Sequence, residues 1–422
     1  MVAHLYRVGD QSYDAGARFD GHERSSMAEI DVRFLDGVGE IDEASWERLV
    51  AGASPFLEYG FLVALEETGC VGPGTGWTPR PLTLWESGEE GGEGELVGAL
   101  PMYVKTHSAG EFVFDWSWAD AARRSGIQYY PKAVVQVPFT PVMGERLLVD
   151  SERDDVPRLR RRLVDEAVRY VEREQLSSVH FNFVRPDELQ ALEDADLPVR
   201  ESFQYHWYNG RDMGEAESFE SFEDFLSELR SKKRSNIERE RRRYRENGGR
   251  TEVLTREEVT DAHLERMFRY YRRTVRKYFG GSQYLNEEFF LELGERMRDR
   301  LHLVVAEQDG EEFGAAFNVF KGDRLYGRYW GALRDVKFSH FEACFYSSIE
   351  WCIDRGMEAF EGGSGGDHKF DRAFMPTYTY SGHYIRHPSL KGAIRDFVQR
   401  ECDVIETKAE TLREDSPFKE HD

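Results

Sequence analysis

The stretch from Arg324 to Phe370 constrains the chain most, because its hydrophobic period changes twice within it. Leu325–Leu333 (LYGRYWGAL) is rich in Tyr, Trp and Leu and has the length of a strand. Arg334–Ser339 is a polar break. From His340 to Arg355 the apolar residues Phe341, Cys344, Phe345, Ile349, Cys352 and Ile353 recur at helical spacing, and Gly356 is a natural stop. Met357–Glu361 returns to strand, and GGSGGDHKF follows. Strand, crossover helix and strand make one βαβ unit with parallel pairing. The loop that enters such a helix presents free N–H groups and the positive end of a dipole, which suits a phosphate. Arg328, Tyr329, His340, Glu342, Glu361, His368, Lys369 and Arg372 crowd near that point and near the end of the second strand, so the chemistry is placed there.

A chain of 422 residues has room for two domains with ample core in each. No apolar run is long enough for a membrane span. The opening MVAHLYRVGDQSYDAGARFDGHERSS lacks an apolar signal core, so a flexible leader over 1–27 is expected rather than a secretory one. Cys70, Cys344, Cys352 and Cys402 are scattered without zinc or redox spacing; reduced thiols and a cytoplasmic location are the expectation. The twelve His show no H-E-x-x-H pattern, so no metal is expected. The net charge is −23 and only eleven of the 56 basic residues are Lys. Such a surface fits either a salty cytosol or an ordinary acidic soluble protein, and argues against non-specific nucleic-acid binding.

Before the central unit the pattern gives helices at Ala44–Val50 and Pro55–Thr68 with a Ser54 cap, a hairpin of Pro81–Trp85 and Leu96–Val104 around an acidic glycine loop, and an aromatic strand at Phe112–Ala119. Short strands at Val134–Pro138 and Leu147–Val149, a helix over Val156–Glu174 and a strand at Ser178–Val184 follow. The second half reads as a long helix over Phe222–Asn247, helices at Ala262–Lys277 and Asn286–Asp299, and a hairpin of Leu301–Glu307 with Glu312–Phe320. Each half thus runs hairpin, aromatic strand, connection, helix, strand, which predicts a duplicated α/β domain. The expected units are 28–210 and 211–402, divided in the polar segment Asn209–Glu217, with a charged, frayed tail over 403–422.

Several phrases in this order carry a family resemblance: GPGTGWTPRPL, FVFDWSWADA and YYPKAVVQVPFTPV, then SFEDFLSELRSKKRSNIERERRRYRENG, HLVVAEQDGEEFGAAFNVF and LYGRYWGALRDVKFSHFEACFYSSIEWCIDRGMEAFEGGSGGDHKF. Together they resemble the predicted N-acyltransferases of the peptidoglycan biosynthesis/recognition family, which is similar to the Fem-type transferases. The resemblance covers about residues 40–400. It implies two GCN5-related acyltransferase (GNAT) folds in tandem, α/β with a mixed sheet. It also implies transfer of an acyl or aminoacyl group from a thioester or ester donor, acyl-coenzyme A or aminoacyl-tRNA, to an amine acceptor. One departure stands out. The family's Arg/Gln-x-x-Gly-x-Gly/Ala phosphate loop is replaced by ALRDVKFSHFEA, which leaves Arg334, Lys337, His340 and Glu342 at the helix start as the donor-binding candidates. The rival reading is a binding module that recognises an anionic envelope precursor or partner without transferring anything.

Within that frame the residues take roles. In a GNAT fold the central strand offers backbone N–H, here at Tyr329–Gly331, to a developing oxyanion, and Arg328 and Trp330 line the acceptor cleft; burial as packing is the alternative for Trp330. The attacking amine must lose a proton, for which Glu361 or His368 is the base, and Tyr378 or Tyr380 can protonate the leaving group. Lys369 and Arg372 are substrate contacts. The basic run Arg230–Arg250 places Lys232, Lys233, Asn236, Arg239 and Arg243 on one helical face, with Arg234 beside it. It serves either an anionic partner or a solvated helix paired with acids. In the first half, Asp115, Trp116, Trp118, Asp120, Tyr129, Tyr130 and Lys132 form an aromatic–polar cluster that either faces an acceptor groove between lobes or belongs to a degenerate first lobe that only packs.

Overall fold

The structure, a computed structural model, describes residues 29–87, 94–214, 217–278 and 283–420. The expected leader at 1–27 and the tip of the acidic loop lie outside these residues. In chain order the strands are β1 Ile30–Phe34, β2 Trp77–Pro79, β3 Leu82–Glu86, β4 Glu95–Leu100, β5 Met102–Lys105, β6 Lys132–Val135, β7 Leu148–Val149 and β8 Ser178–Val184. They continue as β9 Val199–Tyr208, β10 Gly249–Thr255, β11 Leu301–Gln308, β12 Glu311–Lys321, β13 Arg324–Ala332, β14 Ala359–Glu361 and β15 Met375–Ile385. A small sheet has the order β1-β3-β4-β7; the main sheet runs β10-β11-β12-β13-β14-β9-β15-β8-β6-β5-β2.

The main sheet repeats itself about its centre. β13 and β14 are parallel and joined through the helical run Ser339–Asp354; β6 and β8 are parallel and joined through the helix Val156–Arg173. The closing strands then cross over. β9 follows β8 in sequence but pairs with β14, β15 follows β14 but pairs with β8, and β9 and β15 pair with each other from Met375↔His206 to Gly382↔Val199. The mixed α/β class and the two GNAT-like halves are therefore present, but each half borrows its last strand from the other, across the boundary expected near residue 210.

Three local expectations are corrected. Phe112–Ala119 is not a strand: the chain is irregular to Asp115 and helical over Trp116–Arg124, where Trp118 and Ala122, four apart, face inward. A short aromatic run carries both periods, and the helical one wins here. The long helix is two, Phe222–Glu228 and Ser231–Glu246, because Leu229 is extended and bridges to Phe418. The charged tail is not frayed. Pro388–Glu414 is one helix, Phe418 is buried among Phe219, Phe222 and Phe225, and Arg230 Nε donates to Phe418 O at 3.1 Å. Tertiary burial overrides the charge-rich local pattern in both cases.

The largest core cluster joins the helix Tyr59–Glu67 of the first half to β11, β12 and the helix Asp261–Tyr278 of the second. A separate core lies on the side of β13 and β14 where the central helix packs, around Trp207, Leu325, Phe345 and Phe360.

Candidate active site

β13 and β14 pair at only three positions, Arg324↔Ala359, Leu325↔Phe360 and Tyr326↔Glu361. β13 then runs on to Ala332 while the other chain turns away through Gly362–Gly366, so the two diverge just beyond Glu361. Gly363 holds φ 74°, and a Cβ there would lie 3.1 Å from Gly327 O, so only glycine fits where the turn passes the strand. Opposite β12 the register shifts between Phe317 and Asn318, which makes Arg328 an extra residue in β13. A bulge of this kind leaves backbone groups unpaired and bends the strand.

Glu361 stands at this divergence, 5% exposed. Burial raises its carboxyl to about 7, and Arg324, with Nη1 3.8 Å from Oε1, opposes that only in part. Its Oε2 lies 3.8 Å from Nε2 of His206 on β9, and neither atom has a hydrogen-bond partner among the described residues. Burial lowers His206 to about 3, with Arg324 and Lys369 adding to the effect, so the imidazole is neutral. A buried carboxylate beside a neutral imidazole, both unsatisfied, is an arrangement that costs free energy unless a ligand or water completes it.

The other sequence candidates are distributed around this point. Arg328 Nη2 donates to Phe139 O at 2.6 Å, to Thr140 Oγ1 at 3.2 Å and to Tyr329 Oη at 3.0 Å, which ties β13 to a first-half segment. Tyr329 packs in the main core against Tyr271 and Phe317; its ring is a packing group. Trp330 is half-buried on the other side, 5.7 Å from the His340 ring. His368 is exposed and packs on His340, Phe341 and Phe345, whereas the neighbours of Glu361 are His206, Arg324 and Tyr326; the two proposed bases do not meet. Burial, then Arg372 and Lys369, lower His368 below the usual histidine value. Tyr378 lies under the C-terminal helix, 5.0 Å from the Arg413 guanidinium, one residue on from Thr377, whose Oγ1 meets Tyr208 Oη at 3.0 Å. Strand alternation puts it on the opposite face from that contact.

At the helix start, Phe338 takes a left-handed conformation (φ 68°) and the run Ser339–Phe341, Glu342–Tyr346, Ser347–Asp354 has a five-residue π segment in its middle. Arg334 is engaged with Gln308 O at 3.4 Å and with Glu311 at 3.6 Å. Lys337 is exposed and, among the described residues, meets only the Phe338 ring. Burial lowers His340 to about 4, helped by His368, Arg372 and Lys369. Glu342 is buried against Arg241, Nε to Oε1 3.0 Å, which also holds Glu350 at 2.7 Å. Arg372 is likewise internal, bonded to Tyr346 Oη, His368 O and Glu240. Lys369 donates to the carbonyls of Gly363 and Gly365, both at 2.7 Å, and clamps the glycine turn; burial lowers it to about 8.

On the helix Ser231–Glu246, the side chains of Lys232, Arg234, Asn236, Arg239 and Arg243 have no hydrogen-bond or ion-pair partner among the described residues, while Lys233 is held by Asp371. In the first half Asp115 is a buried ion-pair partner of Lys132 and accepts from Tyr129 Oη at 2.6 Å, and Trp116 is 52% exposed. The cluster also holds Glu111, 2.8 Å from Lys132 Nζ.

His206 and Arg324 escaped the sequence reading. His206 sits in QYHWYNG, an aromatic strand in which a lone imidazole at an inward position was the available signal. Its meeting with Glu361 depends on the strand exchange, which no local pattern reveals. No group of His, Cys, Asp and Glu that could hold a metal occurs among the described residues, and no described helix is long and apolar enough to cross a membrane.

A family model for FemAB-like proteins, described as peptidoglycan biosynthesis/recognition, matches residues 37–420. No curated protein matches the sequence. Among solved structures the chain is similar to FemX, with 11% identity and a TM-score of 0.49 over 84% of this chain and 98% of that one. It is similar to a tandem GNAT protein from the clavulanic acid biosynthesis pathway, with 11% identity and a TM-score of 0.44 over 85% and 99%. It is also similar to L-PGS from Bacillus licheniformis, with 11% identity and a TM-score of 0.42 over 71% and 85%.

Proposed function

The chain belongs to the FemAB-like family of peptidoglycan biosynthesis/recognition, and from that premise we propose that it is a transferase moving an acyl or aminoacyl group from a thioester or ester donor to an amine acceptor in cell-envelope chemistry. The observation that carries the reading is Glu361: a buried carboxyl near 7, with one oxygen unpartnered, at the point where β13 and β14 part. An amine acceptor arrives largely as ammonium and must be deprotonated before it attacks, and a base of pKa near 7 does this efficiently at neutral pH.

The donor carbonyl lies in the divergence beside Gly327–Tyr329, where the bulged backbone supplies N–H to the oxyanion. The donor's anionic part meets Lys337 and the first-turn N–H groups, and the unpaired cations Lys232, Arg234 and Arg239 serve a longer polyanionic donor. Arg328 fixes the first-half segment 137–142 over the acceptor side. Glu361, rather than His368, is the base in this proposal; the units 28–210 and 211–402 act as one interlocked body, with the chemistry in the second. The reaction is direct: the amine forms the C–N bond, the C–S or C–O bond breaks, and Glu361 takes a proton from nitrogen.

The test is donor consumption. Purified protein is given acetyl-coenzyme A, or alanyl-tRNA, with a pentapeptide carrying a free lysine amine, and free thiol or deacylated tRNA is followed. Amine-dependent release in the wild type that collapses in Glu361→Gln supports the reading. Equal rates in the two proteins would end the role of Glu361 as base.

A further inference from the structure

The gap between Glu361 and His206 has a defined size, and its counterpart in the first half shows what a closed version looks like. The register places Glu361 opposite His206 on β9, and in the first half His180 opposite His383 on β15. There the imidazoles are hydrogen-bonded, Nδ1 to Nδ1 at 2.7 Å, and each Nε2 is satisfied, by Ser178 Oγ at 2.8 Å and by Ser381 Oγ at 3.0 Å. At Glu361 the corresponding pair stands 3.8 Å apart with Oε2 and Nε2 both unsatisfied and both residues at least nine-tenths buried. Two acceptors that far apart can both lie about 2.8 Å from a single nitrogen or oxygen atom.

We propose that Glu361 Oε2 and His206 Nε2 form the seat of the acceptor's amine nitrogen, which makes His206 a second catalytic group and the acceptor a primary amine rather than an alcohol. The inference rests on the transferase reading above. An ionised carboxylate is only an acceptor, and a neutral imidazole with its proton on Nδ1 presents Nε2 as an acceptor. One atom must then donate twice. A primary ammonium does this and keeps its third N–H for the donor side; a hydroxyl has a single proton and leaves one wall unpaired. Glu361 takes one proton from the ammonium, the neutral amine attacks the acyl carbon, the C–S or C–O bond breaks, and a second nitrogen proton passes to the departing sulfur or oxygen. His206 holds nitrogen throughout and stays neutral. The charged and titratable groups around the seat are Arg324 and Tyr326 on β13, Tyr208 on β9, Glu358 before β14 and Lys369 below the glycine turn. The acceptor reaches the seat from the side covered by residues 137–142, where Gln204, two residues from His206, donates to Pro141 O at 3.0 Å.

The experiment is nuclear magnetic resonance of the full chain labelled with ¹⁵N-histidine and ¹³C-glutamate. Signals are assigned with His206→Gln and Glu361→Gln, and methylamine and methanol are the probes. Methylamine should move the His206 Nε2 resonance and shift Glu361 ionisation to lower pH, and methanol should do neither. His206→Gln should weaken methylamine binding about tenfold, the effect of one lost hydrogen bond to a charged group. If methylamine moves Glu361 and leaves His206 Nε2 unchanged, or if methanol acts as methylamine does, the seat is wrong while the transferase reading stands. If Glu361→Gln transfers as fast as the wild type, the base itself fails whatever His206 does. Where one of these variants folds poorly, His206→Asn or Glu361→Asp supplies the assignment, and the wild-type signals then decide the matter.

Discussion

Two parallel strand pairs of one sheet carry different chemistry at matched positions. β13 opens with Arg324 and β6 with Lys132; β14 ends on Glu361 and β8 carries His180. In the first half each of these groups has a side-chain partner, although Glu111 Oε1, Asp115 Oδ1 and Asn182 Oδ1 make no hydrogen bond among the described residues. Lys132 binds Glu111 and Asp115, His180 binds His383, and Gln136 Oε1 accepts from Asn182 Nδ2 at 2.8 Å just where that pair of strands stops pairing. In the second half the matched groups are left 3.8 Å apart. In the proposed reading one fold is used once to pack and once to hold a reactive group, and the two are told apart by the facing pair across the strands, bonded at His180 and His383 and unbonded at Glu361 and His206.

The largest effect should separate the halves by activity. Glu361→Gln is expected to lower turnover about 10²–10⁴-fold, measured as amine-dependent donor consumption, and the wild-type kcat/KM should rise with pH to a plateau above about 7, since the base must be ionised. His180→Gln should leave turnover per folded molecule unchanged and cost about 1–3 kcal/mol of stability through a broken buried hydrogen bond. A turnover loss in His180→Gln matching that in Glu361→Gln would abolish the distinction.

Lys132 sharpens it from the side of stability. The ammonium is fully buried between Glu111 and Asp115. Burial pushes Glu111 up to about 7 in spite of Lys132, while Lys132 holds Asp115 at about 2 against the same burial. Lys132→Met should lower unfolding stability by about 3–5 kcal/mol, because it strands two buried carboxyls; adding Glu111→Gln and Asp115→Asn should recover much of the loss. Urea unfolding reads this directly. A loss below 1 kcal/mol would mean that the cluster behaves as a surface pair.

Glu361 gives the opposite sign. Its carboxyl is raised in the folded protein to about 7 from an ordinary value of 4.5. The folded state therefore loses stability as pH rises from the unfolded value through about 7, by about 3 kcal/mol in full. The stability of Glu361→Gln relative to wild type should climb by that amount between pH 4 and pH 8, apart from any constant offset. Glu111 is present in both proteins and cancels. A flat difference across that range would place the Glu361 carboxyl in a solvated or satisfied environment.

How much of this was legible beforehand follows from the range over which each feature is determined. The βαβ unit, Glu361 at its strand end and the repeat of the halves rest on local periodicity, and the sequence shows all three. The meeting of His206 with Glu361 was hidden because it arises from β9 crossing to the other half, a pairing of residues 155 positions apart in the chain. Glu342 and Arg372 invite a ligand reading because charge stands near a helix start; their pairing with Arg241 and Glu240, from a helix distant in sequence, is not visible in any local pattern. The helical tail was misread for the same reason: Phe418 supplies burial that the preceding charges conceal.

The smallest expected effect concerns the donor and has no counterpart in the first half. Of the two cations before the central helix, Arg334 is engaged with Gln308 O and Glu311, and Lys337 meets, among the described residues, only a phenyl ring. If the donor is coenzyme A, Lys337→Ala should weaken its binding by about 2–5-fold in calorimetry, the worth of one exposed charge near a helix start, and added salt should erase the difference. Arg334→Ala should do less, since the native side chain must first leave Glu311. If neither change alters coenzyme A binding and the wild type binds alanyl-tRNA instead, replacing Lys232 and Arg239 should weaken that binding, because those side chains have no partner of their own to satisfy. Loss of binding in Arg334→Ala alone would show that the loop rearranges around the donor and that its resting ion pairs do not predict its working ones.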